Sequence, residues 1–329
     1  MPLGRLAQVL RSVNRPGDAR LLVGPDTLDD AGVVRIPNAD PTAPALVQTV
    51  DFFPPVVDDP YYYGAVAAAN ALSDVYAMGG QPLCALTIAG FPKDFDEGTI
   101  GEIMRGGFEK VAEAGAVVAG GHTVESDVQF GFAVTGLVDP AAVTANTGAA
   151  AGDRVYLTKP VGMGTMTTAA KRQVIDWPTM LPAAVQMATL NAAAAQAMVS
   201  AGARAATDVT GFGLMGHGRN LARGSGATLR LWPASIPVFP GALELARQGI
   251  ASGGSKRGQS TLADEVSVGA DVDPALVTIC FDSETSGGLL IAIAPERAAD
   301  LERELAARGV PVVEVGEFVA STGRLVELG

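Results

Sequence analysis

Apolar and polar positions along the chain alternate between two periods. Ala45–Val50 (ALVQTV), Leu83–Gly90 (LCALTIAG) and Phe130–Val138 (FGFAVTGLV) are apolar runs of strand length, and each predicts a strand. Between them, Val66–Met78 and Ile100–Val111 carry helical spacing; in the second, Ile103, Met104, Phe108 and Val111 share one face. Gly115 stops that helix and the apolar run AVVAGG follows. Small residues fill Thr144–Gly152 (TANTGAAAG) before a new strand begins in DRVYLTKP, so a domain boundary is expected near residue 148, dividing the chain into 1–148 and 149–329. The second half repeats the theme. One long Ala-rich helix is expected over Ala183–Ser200, then a turn-rich segment around Asp208 and a strand at Gly288–Ala294. A helix over Pro295–Arg308, closed by Gly309, and a last strand at Val312–Val315 complete it. Strands interleaved with helices in two such sets predict an α/β (α+β) fold of two domains.

The N-terminal stretch MPLGRLAQVLRSVNR sets Leu3, Leu6, Leu10 and Val13 at helical spacing with Arg5, Arg11 and Arg15 between them. That predicts an amphipathic surface helix, not a secretory signal, which needs a continuous apolar core. No stretch approaches the about 18 consecutive apolar residues of a membrane-spanning helix. A cytoplasmic protein without a membrane partner is expected.

Charge narrows the chemistry. The 329 residues carry 23 Lys and Arg against 35 Asp and Glu, a net charge of −12, which disfavours nucleic acid and acidic membrane surfaces as partners. A polyanionic substrate must then be met through metal ions or local clusters of donors. Two cysteines and two histidines exclude a disulfide scaffold and a Cys-rich zinc site and leave little for a His-based one. Carboxylates remain.

Most acids fall on solvated helix faces, but four break the pattern. Asp51 follows directly on ALVQTV, Asp74 lies inside the small and apolar AAANALSDVYAMGG, Asp30 precedes AGVVRI, and Asp208 sits in ATDVTGFGLMGH. Any one could be a helix cap, an Asx-turn or the partner of an arginine. Four together, without matching Lys or Arg nearby, are better explained by a divalent cation, and oxygen ligands favour Mg²⁺ or Ca²⁺. Gly79-Gly80, Gly120-Gly121-His122-Thr123 and Gly287-Gly288 read as turns, the second as a phosphate-cradling loop after an apolar run. Neither a Walker A loop nor a G-x-G-x-x-G fingerprint occurs, so an unusual nucleotide fold is expected.

The string TVDFFPPVVDDPYYYGAVAAANALSDVYAMGG, with VVAGGHTVE, YLTKPVGMGTMTTA, TDVTGFGLMGH and FDSETSGGLL, resembles the selenophosphate synthetase (selenide, water dikinase) family of the aminoimidazole-ribonucleotide synthetase-like superfamily, from about Leu21 onward. The resemblance implies a two-domain fold whose N-terminal sheet dimerises into a barrel, and the reaction ATP + selenide + water → selenophosphate + phosphate + AMP. It further implies that Asp30, Asp74 and Asp208 bind Mg²⁺ and that Asp51 lies beside the ATP phosphates, with Asn70 near the metal cluster. Thr27, Leu28, Asp29 and Asp74 would contact the nucleotide, as would Gly121, His122 and Thr123 from the partner subunit of a homodimer. The family's Cys or selenocysteine, and the Lys three residues after it, would lie upstream of Met1. The resemblance therefore implies a reading frame that starts further upstream, with no catalytic Cys or Lys between Met1 and Gly329 and impaired activity for these 329 residues alone. The alternatives are an ATP-binding homologue that makes no selenophosphate, or another superfamily kinase or ligase.

Several further features are open. Cys84 and Cys280 read as small buried hydrophobes. Lys159, ending VYLTK, either reaches phosphate or runs its stem to solvent. His217 reads as a helix-start or packing residue. Ser252–Ser260 (SGGSKRGQS) is either a mobile anion-binding flap or a plain loop, and Trp177 and Trp232 read as packing residues.

Overall fold

Two sheets divide the chain between them in the computed structural model, which describes residues 17–24, 28–40 and 42–329. The expected amphipathic helix over Leu3–Val13, and Thr27, lie outside the described residues. The first half runs β1 (Leu21–Val23), β2 (Gly32–Val34), β3 (Ala45–Phe53), α1 (Pro60–Ala77), β4 (Gln81–Phe91), α2 (Glu97–Glu113), β5 (Val117–Glu125) and β6 (Gln129–Val138). Its six strands lie in the order β1-β2-β3-β6-β4-β5, antiparallel except for β4 beside β5.

The second half begins with β7 (Arg154–Leu157), α3 (Met163–Lys171), α4 (Trp177–Ala188), α5 (Ala192–Ala201), β8 (Ala205–Asp208), α6 (Gly213–Ser225) and β9 (Thr228–Leu231). It ends with α7 (Ala242–Arg247), α8 (Gly253–Leu262), β10 (Val266–Val268), α9 (Pro274–Cys280), β11 (Leu289–Ile293), α10 (Ala298–Ala307), β12 (Glu314–Val319) and β13 (Val326–Leu328). These strands form a mixed seven-stranded sheet, β10-β13-β9-β12-β7-β11-β8. No helix among the described residues is long and apolar enough to cross a membrane.

Helix α1 is the centre of the assembly. Asp59 caps it by accepting the Tyr62 N–H at 3.0 Å, Pro60 opens it, and Gly79 ends it at φ 74°. All its residues from Tyr63 to Ala77 are buried, as expected of a helix apolar all round. Glycine brings α2 against it: a Cβ on Gly64 would overlap the Ile103 carbonyl, and one on Gly106 the Tyr61 carbonyl. On α2, Phe108 turns to solvent instead of joining the buried face, and Gly107 takes its place under the Phe130 and Phe132 rings.

Three other expectations need correction. The long helix over Ala183–Ser200 is two helices, α4 and α5, separated by an extended Thr189 (ψ 127°) and by Asn191, which starts α5. The segment Ser252–Ser260 is not a loop but most of α8, capped by Ser252 Oγ accepting the Gly254 N–H at 3.1 Å. Gly120–Thr123 is no turn either: it lies inside β5, an edge strand exposed over these residues. At the C-terminal end, Pro295–Arg297 is a 3₁₀ turn before α10, and the last predicted strand shifts to Glu314–Val319.

Register fixes the two faces of the first sheet. Thr49 and Asp51 face α1, so Val50 and Phe52 face away, at 53% and 48% exposure. Phe52 continues through Gly131 and Ile88 to His122, and Val50 through Ala133 to Leu86. The outer face is therefore broadly apolar, with His122 at its edge.

Candidate metal and nucleotide site

Asp30, Asp51, Asp74 and Asp208 meet where the two sheets adjoin. Asp30 ends the β1–β2 connection, Asp51 lies on β3, Asp74 in the last turn of α1, and Asp208 at the end of β8. Each is held by a neutral donor. Thr207 Oγ1 donates to Asp30 Oδ1 at 2.8 Å, Asn70 Nδ2 to Asp51 Oδ2 at 2.7 Å, and Thr49 Oγ1 to Asp74 Oδ2. Ser73 hydrogen-bonds Asp208. Among the described residues no Lys or Arg forms an ion pair with any of the four.

The electrostatic consequence is a shared resistance to ionisation. Burial first, then the like charges of Asp208, Asp51 and Asp30, push the Asp74 carboxyl well above the usual carboxylate range. Burial and Asp208 do the same to Asp30. Burial raises Asp51 to about 6 and Asp208 to about 7, in spite of the hydrogen bonds that favour their charged forms. Asp30 Oδ2 and Asp208 Oδ2 are sealed from solvent with no hydrogen-bond partner among the described residues. Two orphaned acceptors from opposite halves of the chain, inside a like-charged cluster, fit a hard divalent cation.

His217 on α6 belongs to the same place. Its ring nitrogen and one oxygen each of Asp30 and Asp208 lie within 4.8 Å of one another, and burial lowers its pKa to about 4, leaving the imidazole neutral. Both ring nitrogens already face hydroxyls, Thr207 Oγ1 at 3.4 Å and Thr210 Oγ1 at 3.2 Å, which fits the packing role expected of it.

Further residues complete the site, of which Asn146, Asn191 and Ser286 carry no sequence signal. Asn146, in the connection between β6 and β7, clamps the Leu28–Asp30 segment: its N–H donates to Asp29 Oδ1 at 2.5 Å and its Nδ2 to the Leu28 carbonyl at 2.7 Å. Leu28 is held at φ 56°, unusual for a branched residue and common at ligand sites. Ser286, at φ 50°, donates its N–H to Asn70 Oδ1 at 2.9 Å. Asn191 donates to Ser73 Oγ at 2.9 Å and to the Gly287 carbonyl at 2.8 Å. Lys159 does not reach solvent and forms no ion pair among the described residues; its buried ammonium donates to the carbonyls of Thr189 (2.6 Å) and Ser286 (2.9 Å), and burial lowers its pKa to about 7.

The other candidates lie elsewhere. Across the sheet, Asp51 aligns with Phe132, Thr87 and then Gly121, so Gly121 is three strands, about 14 Å, from Asp51. His122 lies on the opposite face. One chain therefore does not bring Gly121, His122 and Thr123 to the carboxylates. Cys84 is half-buried in β4 and Cys280 fully buried, with burial pushing its thiol up to about 12, so neither is a ready nucleophile. Trp177 packs on Tyr62 with ring centroids 5.8 Å apart, and Trp232 is half-buried beside β9.

With the site in place, comparison with known proteins is direct. The family model for the AIR synthase related protein N-terminal domain matches residues 28–138, and that for the C-terminal domain matches 150–327. The selenide, water dikinase of Nitratidesulfovibrio vulgaris (strain DSM 19637 / Miyazaki F) is 42% identical over 324 residues, 96% of this chain and 91% of the relative. That of Caldanaerobacter subterraneus subsp. tengcongensis is 46% identical over 301 residues, 91% and 86%. Among solved structures, tt0281 from Thermus thermophilus superposes with a TM-score of 0.75 at 22% identity, covering 98% of this chain and 95% of that one. AaThiL complexed with AMPPCP and TMP gives 0.70 at 16%, covering 99% and 91%. At such identities the structural likeness speaks for the fold.

Proposed function

This chain belongs to the selenide, water dikinases within the AIR synthase related family, and on that premise we propose that it makes selenophosphate from ATP, selenide and water, releasing phosphate and AMP. The observation that carries the reading to this chain's own residues is the pair of orphaned, buried oxygens, Asp30 Oδ2 and Asp208 Oδ2, inside a four-carboxylate cluster. Asp30, Asp74 and Asp208 would hold Mg²⁺, whose chemistry when bound is to neutralise charge on the polyphosphate. Asp51 and the strained Leu28–Asp29 segment border the cluster and would position the nucleotide phosphates. Residues 1–148 are assigned nucleotide binding and dimerisation, and 149–329 supply Asp208 and the turn that orients Asn70.

A homodimer in the cytoplasm completes the proposal. The exposed apolar Val50, Phe52 and Leu86 give the first sheet a face suited to a second copy. The distance of Gly121, His122 and Thr123 from the carboxylates in one chain supports their service in a neighbouring copy's site. The test is to supply ATP, Mg²⁺ and selenide and to follow AMP together with selenophosphate by phosphorus NMR. Selenide-dependent AMP formation is the expected result. ATP turnover stimulated by thiamine phosphate and indifferent to selenide would instead identify another superfamily kinase, and nucleotide binding without turnover a non-catalytic homologue.

A further inference from the structure

The turn Asp282–Gly288 holds a residue in a conformation it should not adopt unaided. Ser286 lies at φ 50° although it is not glycine, and such a residue persists only where its surroundings over-determine it. Its Oγ contributes nothing to the fixing, being buried without a hydrogen-bond partner among the described residues. Its backbone is gripped from both sides. The N–H donates to Asn70 Oδ1 at 2.9 Å and the carbonyl accepts from Lys159 Nζ at 2.9 Å. Gly288 packs so closely that a Cβ there would overlap the Lys159 backbone nitrogen.

The consequence passes through an amide. Asn70 has one acceptor end and one donor end, and Ser286 N–H occupies the acceptor. Nδ2 is therefore the end that faces Asp51, at 2.7 Å. If Ser286 left the left-handed region, its N–H would swing away. Nothing would then prevent the amide from flipping its oxygen against the carboxylate, where two acceptors repel.

We infer that Lys159 is a positioning residue: by pinning the Ser286 carbonyl it fixes the side-chain orientation of Asn70, and through Asn70 the Asp51 carboxylate, across the boundary between the two halves of the chain. The same ammonium holds the Thr189 carbonyl at the α4–α5 break. From that break Asn191 reaches Ser73 and the Gly287 carbonyl, so a second strut runs in parallel. The inference rests on Asp51 serving the nucleotide phosphates.

The test is binding of the non-hydrolysable analogue AMPPCP with Mg²⁺ by calorimetry, together with thermal unfolding. Lys159→Met, which keeps the apolar stem and removes the donors, is expected to weaken binding about 10- to 100-fold, the range of one lost charge-assisted hydrogen bond. Adding Ser286→Gly should recover most of that loss, because glycine adopts a positive φ without a clamp and no used hydroxyl is lost. A lysine needed only for packing or charge would not be rescued in this way. Wild-type affinity in Lys159→Met, or no recovery in the double variant, overturns the inference while a loss in Asp51→Asn keeps the site reading intact. Unchanged affinity in Asp51→Asn overturns both. Should Lys159→Met fail to fold, Lys159→Gln, which keeps a neutral donor on a shorter stem, is expected to lose less affinity, and Ser286→Gly should again recover that loss; a loss that Ser286→Gly leaves unchanged overturns the inference.

Discussion

Asp208→Asn separates a repulsive carboxylate cluster from an ordinary set of buried hydrogen bonds. Asp208 is almost fully buried and holds its proton up to about 7 instead of the ordinary 3.8. The native state therefore binds this proton more tightly than the unfolded chain does. Without metal, the stability so gained is present at low pH and is lost as pH rises from about 4 to about 7. At roughly 1.36 kcal/mol per pH decade, full ionisation by pH 8 costs about 4 kcal/mol as a ceiling. Asp74, Asp30 and Asp51 share the protons, so about half, roughly 2 kcal/mol, is expected for Asp208 alone. Asparagine keeps the shape and removes the charge. In EDTA at pH 8 the variant should melt above the parent by about 4 °C, taking roughly 2 °C per kcal/mol for a chain of this length. At pH 5, where the parent carboxyl is protonated, the difference should nearly vanish. Saturating Mg²⁺ should raise the parent at pH 8 and the variant much less. Scanning calorimetry at the two pH values, with EDTA and with Mg²⁺, reads all four conditions. If Asp208→Asn lowers the midpoint equally at both pH values in EDTA, the cluster is not under electrostatic strain and the cation argument fails.

Three further outcomes are expected. Asp74→Asn should abolish Mg²⁺-dependent nucleotide binding in a calorimetric titration while leaving the far-ultraviolet circular dichroism unchanged; retained affinity would remove Asp74 from the metal set. Gly287→Ala puts a Cβ into the Val209 carbonyl and should cost about 2–4 kcal/mol in urea unfolding, whereas a cost below about 0.5 kcal/mol would mean that the turn yields. Phe52→Arg charges the exposed apolar face of the first sheet and should yield a monomer by light scattering without loss of fold; an unchanged mass would place the contact between copies elsewhere.

The four carboxylates were legible because charge interrupts apolar pattern, and folding leaves few other reasons to keep it there. Their partners were not. Thr49, Ser73, Asn191, Thr207 and Ser286 are small polar residues on strands, helices and turns, with no periodic signature until the two halves of the chain meet. Ser73 and Thr207 do directly precede Asp74 and Asp208, the one local hint available. The break at Thr189–Asn191 was masked by alanine on both sides, although Thr and Asn are poor in helix interiors and Asn favours a cap. Glycine misled twice. The Gly120-Gly121 pair resembles a turn, but inside β5 Gly120 supplies a positive φ of 143° at a register shift, and Gly121 lies so close to β4 that a Cβ would overlap the Thr87 backbone. GGSKRGQS has poor helix propensity, yet the Ser252 cap and the burial of Ser255 and Leu262 outweigh it in α8.

The boundary between the two sheets is an unusual joint. Thr207 to Asp30, Ser286 to Asn70 and Asn191 to Ser73 are neutral hydrogen bonds, and across the same boundary Asp208 confronts Asp30 and Asp74. Such a joint is a loaded spring: the dipoles hold it shut against charges that press it open. A divalent ion seated between the halves would act as a rivet, and its departure would restore the outward push. Proton uptake by the same carboxyls, whose pKa values burial raises, would relieve that push, so loss of the ion and gain of protons would be linked.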